Sequence, residues 1–344
     1  TTRALVDCGD FYLKMNAGGS YDRLLARFGA FADRLAADLK ARRIDYVALR
    51  QLLPEANLRV NSGRNNIFSR FLKYNGLEFE TINMDMTISP HTGMNGGMQL
   101  EKFTASGMQL DTIRFNVVSD SLNCTYNGQV RNARNNPQYV FNVLFDGYLF
   151  ERGSGLNLSV YDDRNRLGIK LGATAELEDS GARLHLLTDE IILGYKKFTA
   201  NDDNYLFLGT DNRVSAKLNL RAPDGMGLQL YTDDDNEEAL QDVTLSLNAF
   251  DLSKITALLP YFPRMTGKMN GDFHAIQTVE QLSLSSNLSV DNMTYEGCRM
   301  GNVSSEFVYM PKDDGSHYVD AMLFSEGSKV ATLVGTYHPS GAGV

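Results

Sequence analysis

Tryptophan is absent from this 344-residue chain, and cysteine occurs only three times, at Cys8, Cys124 and Cys298. Three widely separated thiols exclude a disulfide framework, and none stands in a CxxC or other metal-ligand spacing. Basic charge is also scarce. Lys and Arg number 33 against 42 Asp and Glu, for a net charge of −9, with no basic cluster to displace counterions from a duplex, so nucleic acid is excluded as a partner. No run approaches the roughly 18 apolar residues of a membrane-spanning helix, and no basic-then-apolar leader precedes Thr1. The chain opens on Thr rather than Met and is expected to be a piece of something longer. What is present is 43% hydrophobic and 22% charged residues, with 13 Met and 18 Phe. That composition excludes disorder and allows a core built from adaptable and aromatic side chains.

Helical periodicity is confined to one stretch. Tyr21, Leu24, Leu25, Phe28, Phe31, Ala32, Leu35 and Leu39 form one stripe at 3.6-residue spacing, with most charges off it. Ser20 is placed to cap its start, and Arg42-Arg43 suit the negative end of its dipole. Asp45 is placed to cap a second, short helix, Tyr46 to Leu53, stopped by Pro54. The stripe could serve a partner or a membrane surface, but its mixed charge better suits a lid or cap over the rest of the fold, with Leu24, Phe28 and Leu35 as its inward face.

Beyond Pro54 the period changes to two. Leu156, Leu158 and Val160 alternate with polar residues, as do Leu167, Ile169, Leu171, Ala173, Ala175 and Leu177. The same beat recurs at Tyr139-Phe141-Val143-Phe145, Val214-Ala216-Leu218-Leu220, Val243-Leu245-Leu247 and Val303-Ser305-Phe307-Tyr309. Turn formers bound these runs: Asp162-Asp163-Arg164-Asn165, Glu178-Asp179-Ser180-Gly181, Asp224-Gly225 and Asp313-Asp314-Gly315. With no helices between them, the runs predict meandering antiparallel strands with one apolar and one polar face. Alternate residues Gly168, Lys170, Gly172 and Thr174 are expected on the polar side. The fold class expected is mostly β: an extended, curled, groove-like antiparallel sheet with a small helical insert near the N-terminal end. The divisions expected are an incomplete β edge over 1–18, the helical insert over 19–54, one sheet module over 55–249 and a second over 250–344.

One internal repeat is visible. Asp45 to Pro54 (DYVALRQLLP) and Asp251 to Pro260 (DLSKITALLP) share D-x3-[L/I]-x2-L-L-P, the pattern of a capped one- or two-turn helix halted by Pro. Strands follow both copies, so a sheet module is expected to restart at each.

The residues name no chemistry. His91, His185, His274, His317 and His338 stand without the HxH, HxxxH or HExxH spacing that puts two ligands on one face. No nucleophile elbow, P-loop or dinucleotide fingerprint is present. The acidic run Asp233-Asp234-Asp235-Asn236-Glu237-Glu238 lacks the glycine and terminal Glu of a calcium loop, and reads as a solvated hairpin tip. Asn201-Asp202-Asp203-Asn204 reads as an ordinary turn. No catalytic residue, metal site or cofactor is assigned. Carboxylate pairs of a glycosidase type would be invisible to spacing, so a carbohydrate-active enzyme stays open as an alternative.

Leu245 to Tyr337 resembles the translocation-and-assembly-module family, TamB, within the AsmA-like proteins, in the version of its large Bacteroidota homologues. The resemblance rests on a strand followed by a short helix ending in L-P (Asp251, Leu252, Pro260), G-x-x-x-G (Gly267, Gly271), v-d-n-x-x-Y-x-G (Val290, Asp291, Asn292, Tyr295, Gly297), G-n-v (Gly301, Asn302, Val303) and a closing l-x-G-x-Y (Gly335, Tyr337). Phe198 to Leu220 is similar to the family's f-x-x-N-x-x-N passage, and Gly76 to Val118 shares the repetitive strand texture. The helix Tyr21 to Leu39 departs from the family's uninterrupted groove.

What the resemblance implies is a non-enzymatic module of the periplasm, part of a bridge between inner and outer membranes. Its apolar groove would guide phospholipid acyl chains or support outer-membrane protein assembly with a barrel partner, and membrane attachment would come from missing flanking segments. The groove candidates are Leu156, Leu158, Val160, Leu167, Ile169, Leu171, Val214, Leu218, Leu220, Val243, Leu245 and Leu247. Ten methionines, among them Met15, Met84, Met86, Met94 and Met98, would suit variable acyl chains. The other alternative is a β-rich interaction or adhesion module with a sealed core. The discriminating observation is whether the chain closes over its own apolar face.

Overall fold

The computed structural model describes residues 1–41, 45–150, 152–233, 239–279 and 281–338. The Arg42-Arg43 pair and most of the acidic run, 234–238, lie outside the described residues. The fold is mostly antiparallel β with few helices, as the alternating apolar runs predict. The chain divides into two compact units, Thr1–Asp179 and Ser180–Val344.

In the first unit, β1 (Thr2–Cys8) and β2 (Phe11–Ala17) form a hairpin, and helices α1 (Tyr21–Lys40) and α2 (Tyr46–Leu52) intervene before β3 (Ala56–Ser62) pairs with β2. After α3 (Ile67–Tyr74), β4 (Leu77–Glu78) and β5 (Thr81–Ser89) lie end to end along β6 (Gly93–Ala105), and β5 also pairs with β3. From there β7 (Met108–Ser119), β8 (Cys124–Asn132), β9 (Phe141–Phe150), β10 (Gly153–Tyr161) and β11 (Leu167–Glu178) meander, each antiparallel to the next.

The helices sit at the strand ends. The Ser20 hydroxyl accepts the Arg23 N–H at 3.3 Å and caps α1 as expected. Leu24 is buried on Ala17 and Ala56, with Met15 packed alongside. The expected lid face is only partly seated, however: Phe28 is 41% exposed and Leu35 is half-buried. The far half of α1 is committed to α2 instead. Buried Asp38 accepts from Arg34 Nε at 2.6 Å and from the Asp45 backbone N–H at 3.0 Å, while Asp45 caps α2 by accepting the Ala48 N–H at 2.9 Å. A buried carboxylate needs such donors, so this joint directs the helix toward α2 rather than along the sheet. Arg50 then ties α2 to the turn between β5 and β6 by donating to the carbonyls of Pro90 and, at 2.6 Å, His91.

Helix α3 has no counterpart in the expected elements. Asn66 and Ser69 form a reciprocal capping box, and Asp10 accepts from the Asn65 N–H at 2.9 Å and Asn66 Nδ2 at 2.6 Å. These donors, the Asn65 N–H foremost, hold the Asp10 carboxyl below its ordinary pKa. Phe68 packs on Phe11 and Phe79, with ring centroids 5.4 Å and 6.3 Å away.

In the second unit, β12 (Gly181–Leu186) pairs with β15 and β13 (Ile191–Leu193) with β14, while β14 (Lys196–Ala200) and β15 (Tyr205–Gly209) lie end to end along β16 (Val214–Arg221). Then β17 (Gly227–Thr232), β18 (Gln241–Asp251), β19 (Met265–Gln277), β20 (Leu282–Tyr295), β21 (Cys298–Pro311), β22 (His317–Ser325) and β23 (Ser328–Tyr337) follow as a meander. The division expected at 249/250 falls within β18. Helix α4 (Leu252–Thr256) is inserted between β18 and β19, as α2 lies between β2 and β3. Asp251 caps α4 by accepting the Ser253 N–H at 3.0 Å, and Leu258 is buried just beyond it. The Leu-Leu-Pro repeat therefore ends α2 at its first copy and comes just after α4 at its second, each helix lying between two directly paired strands.

Candidate functional site

Strand register decides which side chains share a face, because residues directly opposite each other project to the same side. In the first unit one row of cross-strand neighbours reads Val6, Leu13, Val60, Met84, Met98, Phe115, Gly128, Phe145, Leu158 and Leu171, ten strands wide. A second row on the same face reads Ala4, Met15, Leu58, Met86, Gly96, Val117, Tyr126, Gly147, Leu156 and Ala173. A third runs through Ile82, Leu100, Ile113, Val130, Val143, Val160 and Ile169. The opposite face carries Lys14, Arg59, Asp85, Asn116, Asn127, Asp146 and Asn157, and these side chains are exposed.

The predicted wall residues of this unit fall on the apolar rows with one correction. Leu156, Leu158, Val160, Ile169, Leu171 and Ala173 share the face, and Lys170, Gly172 and Thr174 oppose Ser159, Asn157 and Gly155 on the other. Leu167 does not join them. The register shifts between Val160 and Tyr161, pairing Leu167 with Tyr161 and moving it out of the apolar rows. The candidates of the second unit also share one face. Leu218, Leu230, Leu245 and Phe273 are successive cross-strand neighbours, and Leu220, Leu228, Leu247 and Gly271 form the adjoining row. Val214 opposes Leu208, and Val243 opposes Ala275.

The apolar face is covered only in part. Side chains of the ten-strand row keep partial exposure and Leu156 beside it is 42% exposed, whereas Val117 and Val160 in the adjoining rows, and Leu220 in the second unit, are buried. Among the described residues, elements of the first unit that meet this face include α1, with Leu24 on Ala17 and Ala56, α3, with Phe68 on Phe11, and α2, whose Tyr46 hydroxyl lies beside Ser119. In the second unit, Val243, Leu245, Phe273, Ala275, Leu284 and Phe307 line a shallow open depression of about 290 Å³ on the same wall. Met15, Met84, Met86 and Met98 are neighbours on the first unit's wall, where their unbranched side chains give it an adaptable surface.

The motif residues that carried the family resemblance hold the strands. Fully buried Asn204 donates to the carbonyls of Leu186 and Asn201 at 2.9 Å each and accepts the Leu186 N–H at 2.7 Å, at the break between β14 and β15. What reads as an ordinary turn is thus the lock of an interrupted strand. Asn302 Oδ1 accepts the Asn292 N–H at 3.0 Å, while Asn302 donates through its backbone and its amide to Glu326 at 3.0 and 3.1 Å. That chain fixes the register shift in β20 after Val290.

Titratable groups are likewise structural. Buried Asp111 accepts from Lys102 Nζ at 2.6 Å and from the Ala133 N–H at 2.7 Å. Burial alone would push its carboxyl up, but Lys102, Ala133 and Gln109 together hold it below its ordinary value. Burial raises the Cys124 thiol. His185 Nδ1 lies 2.6 Å from the Asn204 carbonyl, and His317 Nδ1 2.5 Å from the Tyr309 hydroxyl. Among the described residues, no three His, Cys, Asp or Glu side chains gather to hold a metal ion.

No protein-family model, curated protein or solved structure matches this chain.

Proposed function

We propose that the apolar wall carries phospholipid acyl chains, as a non-enzymatic module of envelope biogenesis in the periplasm. The observation that carries this reading is the partly open face, three apolar rows across adjacent strands in which most side chains keep some exposure to water. Water in contact with such a surface is unfavourable, and hydrocarbon tails replace it without requiring any one directional contact. The polar rows on the reverse would keep the other face in water. In a longer chain the wall would continue toward the two membranes, with a barrel protein of the outer membrane as partner.

The test is site-specific photo-crosslinking in cells that make the full-length protein, with the reactive side chain at Leu171 and a control at Lys170 on the polar face. Phospholipid adducts are expected from position 171 and not from 170. Leu171→Asp, which sets an unpaired carboxylate against hydrocarbon, should make the envelope permeable while the strands stay folded. A sealed-core binder would lose its fold on that change instead. Adducts to protein alone, with a sound envelope in a folded variant, would remove the conduit reading.

A further inference from the structure

Helix α3 carries a second apolar surface that the fold does not use. Ile67, Phe71 and Tyr74 are 74%, 62% and 90% exposed. At 3.6 residues per turn they fall within an arc of about 60° on the helix. The side of α3 that seats it is different: Phe68 packs on Phe11 and Phe79, and Asn66 and Ser69 are buried in the capping box. The exposed stripe is therefore dispensable for holding the helix in place.

The charges around the stripe are basic. Arg70 flanks it, exposed and without an ion-pair partner among the described residues, and Lys73 follows one turn along. The helix itself contains no acidic residue, in a chain whose net charge is −9. Lys73 and Arg64 meet Glu78 and Glu80 at 3.3 Å, but all four side chains are more than half exposed. Such surface pairs are weak enough to exchange for phosphate.

We infer that α3 docks this unit on an anionic lipid surface. Ile67, Phe71 and Tyr74 enter the headgroup zone, while Arg70 and Lys73 reach lipid phosphates. Three features favour lipid over a protein partner. The stripe combines an apolar face, a Tyr whose hydroxyl belongs at the water boundary, and flanking cations, which together match a bilayer interface. Even at the roughly 250 Å² of a large aromatic each, its three side chains fall short of the roughly 800 Å² per partner of a stable protein interface. Finally, Phe68 on the same helix touches Phe11, so the docked helix would stand where the apolar wall ends. Docking does not depend on the wall carrying lipid, and the two fail separately.

The absence of tryptophan makes the test direct. Phe71→Trp places a single indole on the stripe, and Val279→Trp places one at another exposed apolar position, 83% accessible in the second unit. With vesicles of phosphatidylcholine and phosphatidylglycerol, the indole at 71 should shift to the blue and be quenched by brominated acyl chains, while that at 279 should not respond. In the Phe71→Trp background, Arg70→Glu should lower the partition coefficient roughly tenfold or more, through the charge lost near the surface. No response at 71, or equal binding to vesicles of phosphatidylcholine alone, would overturn the proposal. So would a shift that depends on protein concentration without vesicles, which would assign the stripe to a second copy of the chain. Unchanged strand content of each variant by circular dichroism separates lost docking from lost fold.

Discussion

Gly96 and Gly271 hold the same backbone conformation on different strands, with φ of 143° and 144°. At each, a Cβ would stand 2.0 Å from a carbonyl oxygen of a neighbouring strand, that of Asp85 at the first and Asn287 at the second. Both follow Met-Asn, and the side chains of Asn95 and Asn270 each accept a backbone N–H, from Ser119 at 3.0 Å and Ala249 at 2.6 Å. Both glycines also lie on the apolar face, Gly96 between Met86 and Val117, and Gly271 between Leu247 and Leu288. The internal likeness of the two units thus extends from their short capped helices to a glycine that lets two strands approach closely.

Gly96→Ala and Gly271→Ala should each destabilise the protein by about 1–3 kcal/mol, since alanine is strained at that φ and its methyl meets backbone that cannot rotate away. Gly76, also at positive φ but with open space around a Cβ, is the comparison that carries backbone strain without the clash. Urea midpoints of the three variants measure the difference. Equal losses at all three would mean that close approach plays no part.

The seating of α1 predicts unequal effects along its apolar stripe. Leu24→Asp would bury an unpaired carboxylate against Ala17 and Ala56, and should cost about 3 kcal/mol or more. Phe28→Asp should cost clearly less, about 1–2 kcal/mol, because that side chain is 41% exposed and an Asp there keeps contact with water. Thermal melts with hydrogen exchange at α1 amides would read both effects.

Asp111 should contribute a pH-dependent share of stability where β6 meets β7. Its folded-state carboxyl titrates below the ordinary value, so its contribution is complete above about pH 4 and disappears as pH falls through that lower folded value. Asp111→Asn should therefore be clearly less stable than the parent at neutral pH, and the gap should close in acid. Denaturant midpoints of both proteins, taken from neutral pH downward, check the sign.

The thiols provide an independent check on burial. Cys8 and Cys298 are exposed and Cys124 is buried with a raised pKa. A bulky maleimide should modify two thiols rapidly and the third only on unfolding. Fast modification of all three would contradict the packing of β8.

Much of the wall was legible because strand side chains alternate: once Leu156, Leu158 and Val160 are read as a strand, their common face follows from geometry alone. Helix α1 was legible from its stripe and its cap, and both Leu-Leu-Pro helices from Asp and Pro at their ends. Helix α3 was not, because its eight residues contain too few turns to show a period, and its cap depends on Asp10 from a distant turn. Leu167 was misplaced because a bulge changes the parity of a strand without leaving a mark in composition.

By itself, then, the sequence determined the strands, their two unlike faces and the capped helices, since each depends on neighbours a few residues apart and on the fixed periods of strand and helix. Only the tertiary structure decided that the apolar faces stay partly uncovered, that Phe28 is only partly seated, and that α3 turns Ile67, Phe71 and Tyr74 outward. Those outcomes depend on which distant groups compete for the same surface. The Asp10 carboxylate that holds the start of α3 across 56 positions is one such contact, and buried Asp38 ties α1 to α2 through a nearer one that the apolar stripe does not reveal.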